Sequence, residues 1–372
     1  MLVRFAEESD MAAVARFNDR LKAAGRKEEM LLNPALPGEA QYRPQGFPVY
    51  RRMIIAEDGQ EVRAAMLLCH QNIHIYGKKH DFCWTKLPLS EGIVNQRYAL
   101  AIIQLIKKTV DIHPFLMGVG GGTPDSDGFR FFSRLKWRYQ AIPFFFYPVH
   151  LTKVLLGLQY LKNNFRLRIM AKIGAWSGLG IAVSSALVLH RYLSKKLSKY
   201  DDTVIDSFGD WASDVFLKSL PYYPVAIRSD AVTLNIVYPP DDHRYVRIRV
   251  RRKSTQQDAG WIVVATKQMQ DNHYFGNLKV GTLVDGFGQP EDVAGLISVG
   301  IKRLAEMGAD IIVANFSHSA WKDACRRSGM LSGPSNFNLF VSPLGGPILE
   351  ESCPLHCLHI ARGHSDGMDN LI

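Results

Sequence analysis

Residues 278–332 read LKVGTLVDGFGQPEDVAGLISVGIKRLAEMGADIIVANFSHSAWKDACRRSGMLS. The apolar run 278–284 has strand length and ends in Asp285. A loop with Gly286, Gly288 and Pro290 follows. Glu291 and Asp292 then sit where acids suit the first turn of a helix. Val293, Leu296, Ile297, Ile301 and Leu304 recur at helical spacing, and Gly308 closes that helix. A second apolar run, 309–315, is again of strand length, and 320–328 is a short helix ended by Gly329. A strand–helix–strand–helix order predicts two parallel strands covered by helices. Ligands of such units lie at the carboxyl ends of the strands. Those ends carry Asp285, then Asn315, Ser317 and His318.

A chain of 372 residues is long enough for two domains with their own cores. Apolar residues make up 47% and charged ones 22%, which excludes a disordered chain. Five cysteines at irregular spacing argue against a disulfide framework and for a reducing, cytoplasmic setting. The opening MLVRFAEESDM has no apolar signal core, so export is not expected. The net charge of +10 is concentrated. Residues 151–200 hold nine Lys or Arg and no acid, and the remainder is nearly neutral. That segment calls for a local anionic partner, phospholipid or nucleic acid.

Before it, the pattern predicts a helix at 7–24, a loop at 31–47, strands at 50–56, 62–76 and 81–87, a helix at 95–110 and a strand at 114–119. The glycines 120–122 read as a tight turn rather than a phosphate cradle, since no Lys-Ser/Thr follows. A short helix at 127–135 and an aromatic strand or hairpin at 139–149 end this half. The second half opens with a helix at 205–220 and strands at 231–237, 245–251 and 260–269; strands at 334–341 and 355–361 close it. Leu89 and Met117 are spaced like Asp285 and Val313, an offset of 196 residues, which points to an internal duplication. Between the copies, 173–189 is seventeen residues without charge, at the lower limit for a bilayer span. A span would put the two copies on opposite sides of a membrane. The segment reads either as a helical pair packed between domains or as a hairpin held on an anionic membrane surface.

Helix, strand meander, strand–helix–strand–helix and closing strand thus occur twice. Local matches are 88–94 (PLSEGIV), Gly118-Val119-Gly120-Gly121, 143–146 (PFFF), 315–321 (NFSHSAW), 333–337 (GPSNF) and 358–363 (LHIARG). With them the chain resembles tandem GNAT-like acyltransferases, most closely the two-domain proteins of bacterial exopolysaccharide and cell-envelope clusters. The resemblance implies an α/β fold of two mixed-sheet domains, 1–150 and 203–372, joined by a basic, apolar helical linker at 151–202. It implies an acyl-CoA donor, acetyl-CoA or another, and transfer to nitrogen or oxygen of a small-molecule or saccharide acceptor, an envelope or exopolysaccharide precursor. Fem-type aminoacyl transferases, which take charged tRNA, pair two such domains as well and form the alternative; a non-catalytic scaffold of envelope assembly is a second. A peripheral position on the inner membrane face follows if 151–199 binds lipid. Gly286, Gly288, Gly92 and Val94 stand where the family binds its cofactor. The sequence departs from the family at Glu291 and Asp292, which oppose a pyrophosphate, and at Cys325, where the family's acid is a tyrosine; Phe132 is the counterpart in the first copy.

Aminolysis of a thioester needs a base, an oxyanion donor and an acid. Asp285 and Glu91 end equivalent strands and read as base or amine anchor, or as helix-capping charges. His318 reads as a general base or as an N-cap-region residue. Asn315, Ser317, Trp321 and Ser90 are the expected substrate-binding residues. No metal is expected. Cys353, Cys357 and His359 alternate onto one strand face, a packed face in the simplest reading, and Cys325 is a helix-interior core thiol.

Overall fold

The computed structural model describes residues 1–27, 31–33, 47–159, 199–345, 349 and 357–364. The chain forms two compact units. Unit 1 comprises Met1–Ala141, Pro224–Arg228 and Asn336–Leu355. Unit 2 comprises Ile142–Tyr223, Ser229–Ser335 and His356–Ile372.

Unit 1 is built on a meander. Strands β1 (Leu2–Phe5), β2 (Tyr50–Asp58), β3 (Glu61–Ile75) and β4 (Lys78–Ser90) pair antiparallel in sequence order. Helix α1 (Met11–Ala23) covers one face, and α2 (Ala101–Ile112) the other. The alternation of β2 shows why both faces are buried. Met53 and Ile55 pack with Val14, Phe17 and Leu21 of α1, whereas Ile54 and Ala56 pack with Leu105 and Ile106 of α2. Strand β5 (Leu116–Gly121) lies parallel to β4. Helix α3 (Asp127–Arg134) and strand β6 (Arg138–Ala141) follow.

Unit 2 begins with β7 (Phe144–Pro148) and α4 (Leu151–Gly157). Then come β8 (Tyr200–Ile205), α5 (Asp210–Ser219), and, after the excursion of β9 (Val225–Ile227) into unit 1, α6 (Ala231–Val237). Strands β10 (Val246–Arg252), β11 (Asp258–Gln268) and β12 (Lys279–Gly288) form its meander. Helix α7 (Val293–Glu306) returns the chain to β13 (Ile311–Asn315), parallel to β12, before α8 (Ser319–Arg327) and β14 (Leu331–Gly333). The helix seats closely because Gly300 faces the sheet: a Cβ there would meet Leu283 at 2.5 Å and Ile262 at 2.8 Å.

Each sheet is completed by a strand from the other half of the sequence. β15 (Phe337–Val341) enters unit 1 between β5 and β6, antiparallel to both. Its Phe340 packs against Phe129, Phe132 and Tyr139. In return β7 enters unit 2 between β13 and β14, pairing Phe144–Pro148 with Asn315–Ile311. The aromatic stretch 139–149 is therefore two strands serving two sheets. The strand expected at 334–341 is β15, which begins only at Phe337, and the short β14 ends before it at Gly333.

Several expectations are corrected. Residues 231–237 form a helix, because Asp230 caps it by accepting from Thr233 N at 2.9 Å. The expected helix 205–220 starts only at Asp210, and the strand β8 precedes it. Residues 95–100 are turns of 3-10 helix, so α2 begins at Ala101. Gly118–Gly121 belong to β5; the turn comes at Gly122, where φ is +72°. Of the basic segment, α4 is a unit 2 helix, with Val154 buried and Lys153 paired to Asp310 at 3.1 Å. The apolar run 173–189, the proposed hairpin, the loop at 34–46, Cys353, His356 and the tail beyond His364 lie outside the described residues. Among the described residues, no helix is long and apolar enough to cross a membrane.

Phe340→Ala should lower the unfolding free energy of unit 1 by about 3–5 kcal/mol, the usual cost of a truncated buried Phe. Denaturant titration followed by tryptophan fluorescence measures it; a loss under 1 kcal/mol would mean that β15 is not integral to this sheet.

Candidate active site

In unit 2 the parallel pair β12/β13 holds through four rungs, Val280↔Ile311 to Leu283↔Ala314. The register of β12 on β11 then slips across Val284, a bulge, and the strands separate. The divergence is filled by residues 358–364. Gly363 N–H donates to Val284 O at 2.7 Å. Ser317 N–H donates to Ile360 O at 3.0 Å, its hydroxyl accepts from Ile360 N at 2.7 Å, and it donates to Leu358 O. Asn315 donates to Pro143 O at 3.1 Å and accepts from Arg362 at 2.6 Å. Ile360 and Ala361 are fully buried.

Asp285 is buried within this packing. Its carboxylate accepts from Tyr238 OH at 2.9 Å and from Gly286 N at 2.8 Å. His364 Nε2 lies 3.7 Å away, and His364 Nδ1 accepts from Ala361 N at 2.8 Å. The remaining ring proton is therefore on the nitrogen that faces Asp285. Burial raises the Asp285 pKa and lowers that of His364. His359 Nε2 bonds Gly286 O at 2.9 Å, with its ring against Trp321 and Phe316. Burial holds His359 well below the usual imidazole range. His318 rests on the Tyr223 ring; burial first, then Lys322, pushes its pKa down to about 4. Trp321 donates to Tyr223 OH at 3.0 Å, and that hydroxyl to Gly288 O at 2.7 Å.

The structure thus brings Asp285, Asn315, Ser317, His318, Trp321 and Gly286 together, as expected from sequence, but commits them to a segment of the same chain. Gly286 and Gly288 are packing positions: a Cβ at Gly286 would meet the Trp321 ring at 2.6 Å, and one at Gly288 would meet Ala259 O at 2.5 Å. The loop before α7 is tied down as well. Arg252 bonds Asp292 at 2.9 Å and Glu291 at 2.7 Å, and Tyr200 OH donates to Asp292 at 3.0 Å. The Tyr200 ring covers Gly295 in the first turn of α7, and its pKa rises to about 12 through burial and the Asp292 charge. Cys325 is a buried core thiol.

Unit 1 has the same parallel pair with a shorter ladder. β4 and β5 share only Cys83↔Leu116 and Trp84↔Met117, then run on to Ser90 and Gly121. Here too β4 is irregular, with Leu87 at φ +46°. Among the described residues, no strand or bridge enters this divergence. Thr85 Oγ1 donates to Met117 O at 3.3 Å across its base, and Lys86 is fully buried beside it. Ser90 Oγ accepts from Gly92 N at 3.1 Å. Glu91 is buried and clamped by Arg63 at 2.8 Å and Arg20 at 3.1 Å. Gly92 is close-packed, since a Cβ would meet Ala99 Cα at 2.7 Å. Val94 is exposed, as are Ile93 and Leu100. No acid stands in the first turn of α2.

No protein-family model matches the sequence, and no curated protein matches it. Solved structures do. N-myristoyltransferase of Saccharomyces cerevisiae with bound myristoyl-CoA aligns with a TM-score of 0.52 at 7% identity, over 92% of this chain and 83% of that one. A second structure of that enzyme, with myristoyl-CoA and inhibitors, gives 0.50 at 8% identity, over 92% and 80%. A tandem GNAT protein from the clavulanic acid biosynthesis pathway gives 0.46 at 10%, over 91% and 97%. What the chain shares with the N-myristoyltransferase structures is the fold, a mixed α/β architecture of two GNAT-like units. Within this GNAT-like frame the two units keep the same splayed strand pair and differ in what fills it.

Sequence reasoning missed Tyr223, Tyr238, Arg362 and His364 in unit 2, and Arg20, Arg63 and Lys86 in unit 1. Arg20 and Arg63 reach Glu91 across 71 and 28 residues, and no local pattern announces such a pair. The stretch LHIARGH did carry a signal: apolar residues alternating with histidines must pair and be buried somewhere.

Three imidazoles buried in unit 2, His318, His359 and His364, have folded pKa values below their unfolded ones. The unfolded chain then binds more protons at low pH, so their contribution is intact above about pH 6.5 and is lost as pH falls toward 4. The raised Asp285 works in the opposite direction but is a single group. His318 alone should account for about 3 kcal/mol once pH is below 4. Thermal melts between pH 7 and 4 should show the midpoint falling, with His318→Gln flattening the slope; equal slopes would place the destabilising protonation elsewhere.

Proposed function

We propose that this chain is an acyl-CoA-dependent acyltransferase that holds its donor in unit 1. The observation that carries this reading is the contrast between the two splayed pairs. A thioester lying between β12 and β13 would have to expel 358–364, taking Arg362 from the Asn315 amide oxygen and Leu358 and Ile360 from the Ser317 hydroxyl and N–H. The β4/β5 divergence holds no such segment among the described residues. The helix termini agree. A pyrophosphate favours a helix N-terminus free of acids, which α2 offers and α7, with Glu291, Asp292 and Tyr200, does not. The charge of Glu91 near α2 is already balanced by two guanidiniums.

The acyl-CoA would supply an activated thioester carbonyl, which an acceptor nitrogen or oxygen attacks with loss of its proton as the carbon–sulfur bond breaks. The chain's part is to bind and orient. The loop of Ser90, Gly92 and Val94 commits its own N–H groups to Ser90 Oγ and Glu91 O and so holds a fixed shape leading into α2, against which the donor would lie. The irregular β4 around Leu87 frees backbone donors toward the carbonyl oxygen. Glu91 acts as the anchor of that loop. The acceptor we assign is an amine or hydroxyl of an envelope or polysaccharide precursor, and the basic stretch within 160–198 would keep the protein at an anionic lipid surface where such precursors reside.

Calorimetry with acetyl-CoA and a long-chain acyl-CoA should give one site per chain. Gly92→Val, which forces a side chain into the Ala99 backbone, should weaken it at least about tenfold. Asp285→Asn should leave affinity unchanged in correctly folded protein. No heat with either ligand at millimolar concentration would leave a non-catalytic scaffold. Loss of binding on Asp285→Asn would move the donor to unit 2.

For the membrane, replacing Arg166, Arg168, Lys195 and Lys196 with Gln should cut the fraction that floats with vesicles containing anionic lipid. Each cation near such a surface is worth about 1 kcal/mol. Equal flotation of the two proteins would remove the lipid role.

A further inference from the structure

A separate cluster lies at the other end of the same parallel pair in unit 1. Tyr50, His70 and Cys83 are direct cross-strand partners on β2, β3 and β4, so they form one row on one face of the sheet. His113, the C-cap of α2, comes in from the helix side just before β5. His70 Nδ1 is 3.1 Å from Cys83 Sγ. The His70 ring stacks flat on Tyr50, at 4.2 Å and 5°, and meets His113 edge-on at 5.1 Å. One ligating atom from each of His70, Cys83 and His113 lies within 4.8 Å of the others. His70 is 94% buried, being 6% exposed, and its Nε2 has no hydrogen-bond partner among the described residues.

We propose that His70, Cys83 and His113 form a binding site for a zinc-class transition metal ion. The donor set is one sulfur and two imidazoles. It suits zinc or cuprous copper and offers no oxygen ligands for calcium or magnesium. Zinc takes sulfur at about 2.3 Å and imidazole nitrogen at about 2.0–2.1 Å, so tetrahedral ligand atoms sit about 3.5 Å apart. The observed separations need adjustments of only about 1 Å to reach that. Cross-strand pairing and the Tyr50 stack fix the His70 and Cys83 side chains before any ion arrives. Three protein ligands leave a fourth position, and His113, only half-buried, marks the side from which water and ion arrive.

The surroundings fit a cation. Burial keeps His70 neutral, with a pKa near 3, so its ring is free to ligate. Burial also holds the Cys83 thiol protonated, with Cys69 and Asp81 adding to the effect. Binding must therefore displace the thiol proton to solvent, leaving thiolate on the ion, and affinity rises with pH. The Asp81 carboxylate, bonded to Asn72, adds negative charge near His113. The alternative is a plain thiol–imidazole hydrogen bond, which leaves the His70 Nε2 position unsatisfied inside the protein. A bound ion would tie the C-terminus of α2 to β3 and β4. The α2 helix is the one whose N-terminus faces the proposed donor loop, but the metal site stands without that reading.

The test is cobalt titration of the full-length chain, reduced and stripped with chelator. One equivalent should produce the sulfur-to-cobalt charge-transfer band and the intense visible bands of a tetrahedral ion. Zinc should bleach them and raise the melting temperature. Cys83→Ser should abolish the charge-transfer band, whereas Cys69→Ser, at the neighbouring buried cysteine outside the cluster, should retain it. His113→Gln, at a half-buried cap position that tolerates replacement, should weaken zinc about tenfold or more with the fold intact by circular dichroism. Absence of the band in the unaltered chain, or a band that survives Cys83→Ser, would overturn the assignment and leave the hydrogen bond alone.

Discussion

The exchange of β7 for β15 is the constraint on which the architecture rests. Neither sheet is closed by residues adjacent in sequence. β15 sits between β5 and β6, so without it β6 has no partner in the unit 1 sheet. β7 sits between β13 and β14 in the same manner in unit 2. Pairings of such sequence separation form late and slowly, because loop closure must precede the contacts that reward it. The return is that neither unit can be lost from the chain alone.

The two units differ in electrostatics at the helix that follows the splayed strand. Neither helix has an acid in its first turn, but Asp292, the residue before α7, joins Glu291, Arg252 and Tyr200 in a closed hydrogen-bonded group, whereas α2 follows Leu100. The acid that ends β4 follows the same logic. Glu91 is held by Arg20 and Arg63, so it shapes the loop without opposing a phosphate.

The fold was largely legible in sequence, because periodicity reports burial. The α7 spacing reappears, and so does the apolar 309–315 run, as β13 from Ile311, while the helix expected from Glu291 begins at Val293. Failures came where a long-range partner overrides local pattern. Residues 231–237 have the β-branched content of a strand, and a single Asp230 cap makes them a helix. Residues 139–149 look like one element and belong to two sheets, which only register reveals. At the strand ends, Asp285, Asn315, Ser317 and His318 lie together as their sequence positions imply, but nothing in the sequence indicated what occupies the gap beside them. That occupant lies 41–45 residues downstream of Ser317, at Leu358 to Arg362, beyond any local periodicity. The His70–Cys83–His113 cluster was invisible for the same reason: its spacings of 13 and 30 match no ligand motif, and only cross-strand register brings the three together.

The plug in unit 2 can be weighed against a ligand. Removing 358–364 would leave the Asn315 amide oxygen and the Ser317 hydroxyl and N–H without these partners in a buried setting, at about 1–3 kcal/mol each. Exposing Ile360 would add about 1.5–3 kcal/mol. Together these approach the roughly 8 kcal/mol that a micromolar ligand gains from all of its contacts. A ligand shifts an equilibrium only by its differential affinity for the two states. A donor bound with ordinary affinity would therefore spend nearly everything on eviction and be left with negligible net binding. The same donor entering the β4/β5 divergence meets no such opposing term among the described residues. The asymmetry between the units is thermodynamic before it is catalytic: closing one slot with the chain's own tail decides where the other partner of the reaction can bind.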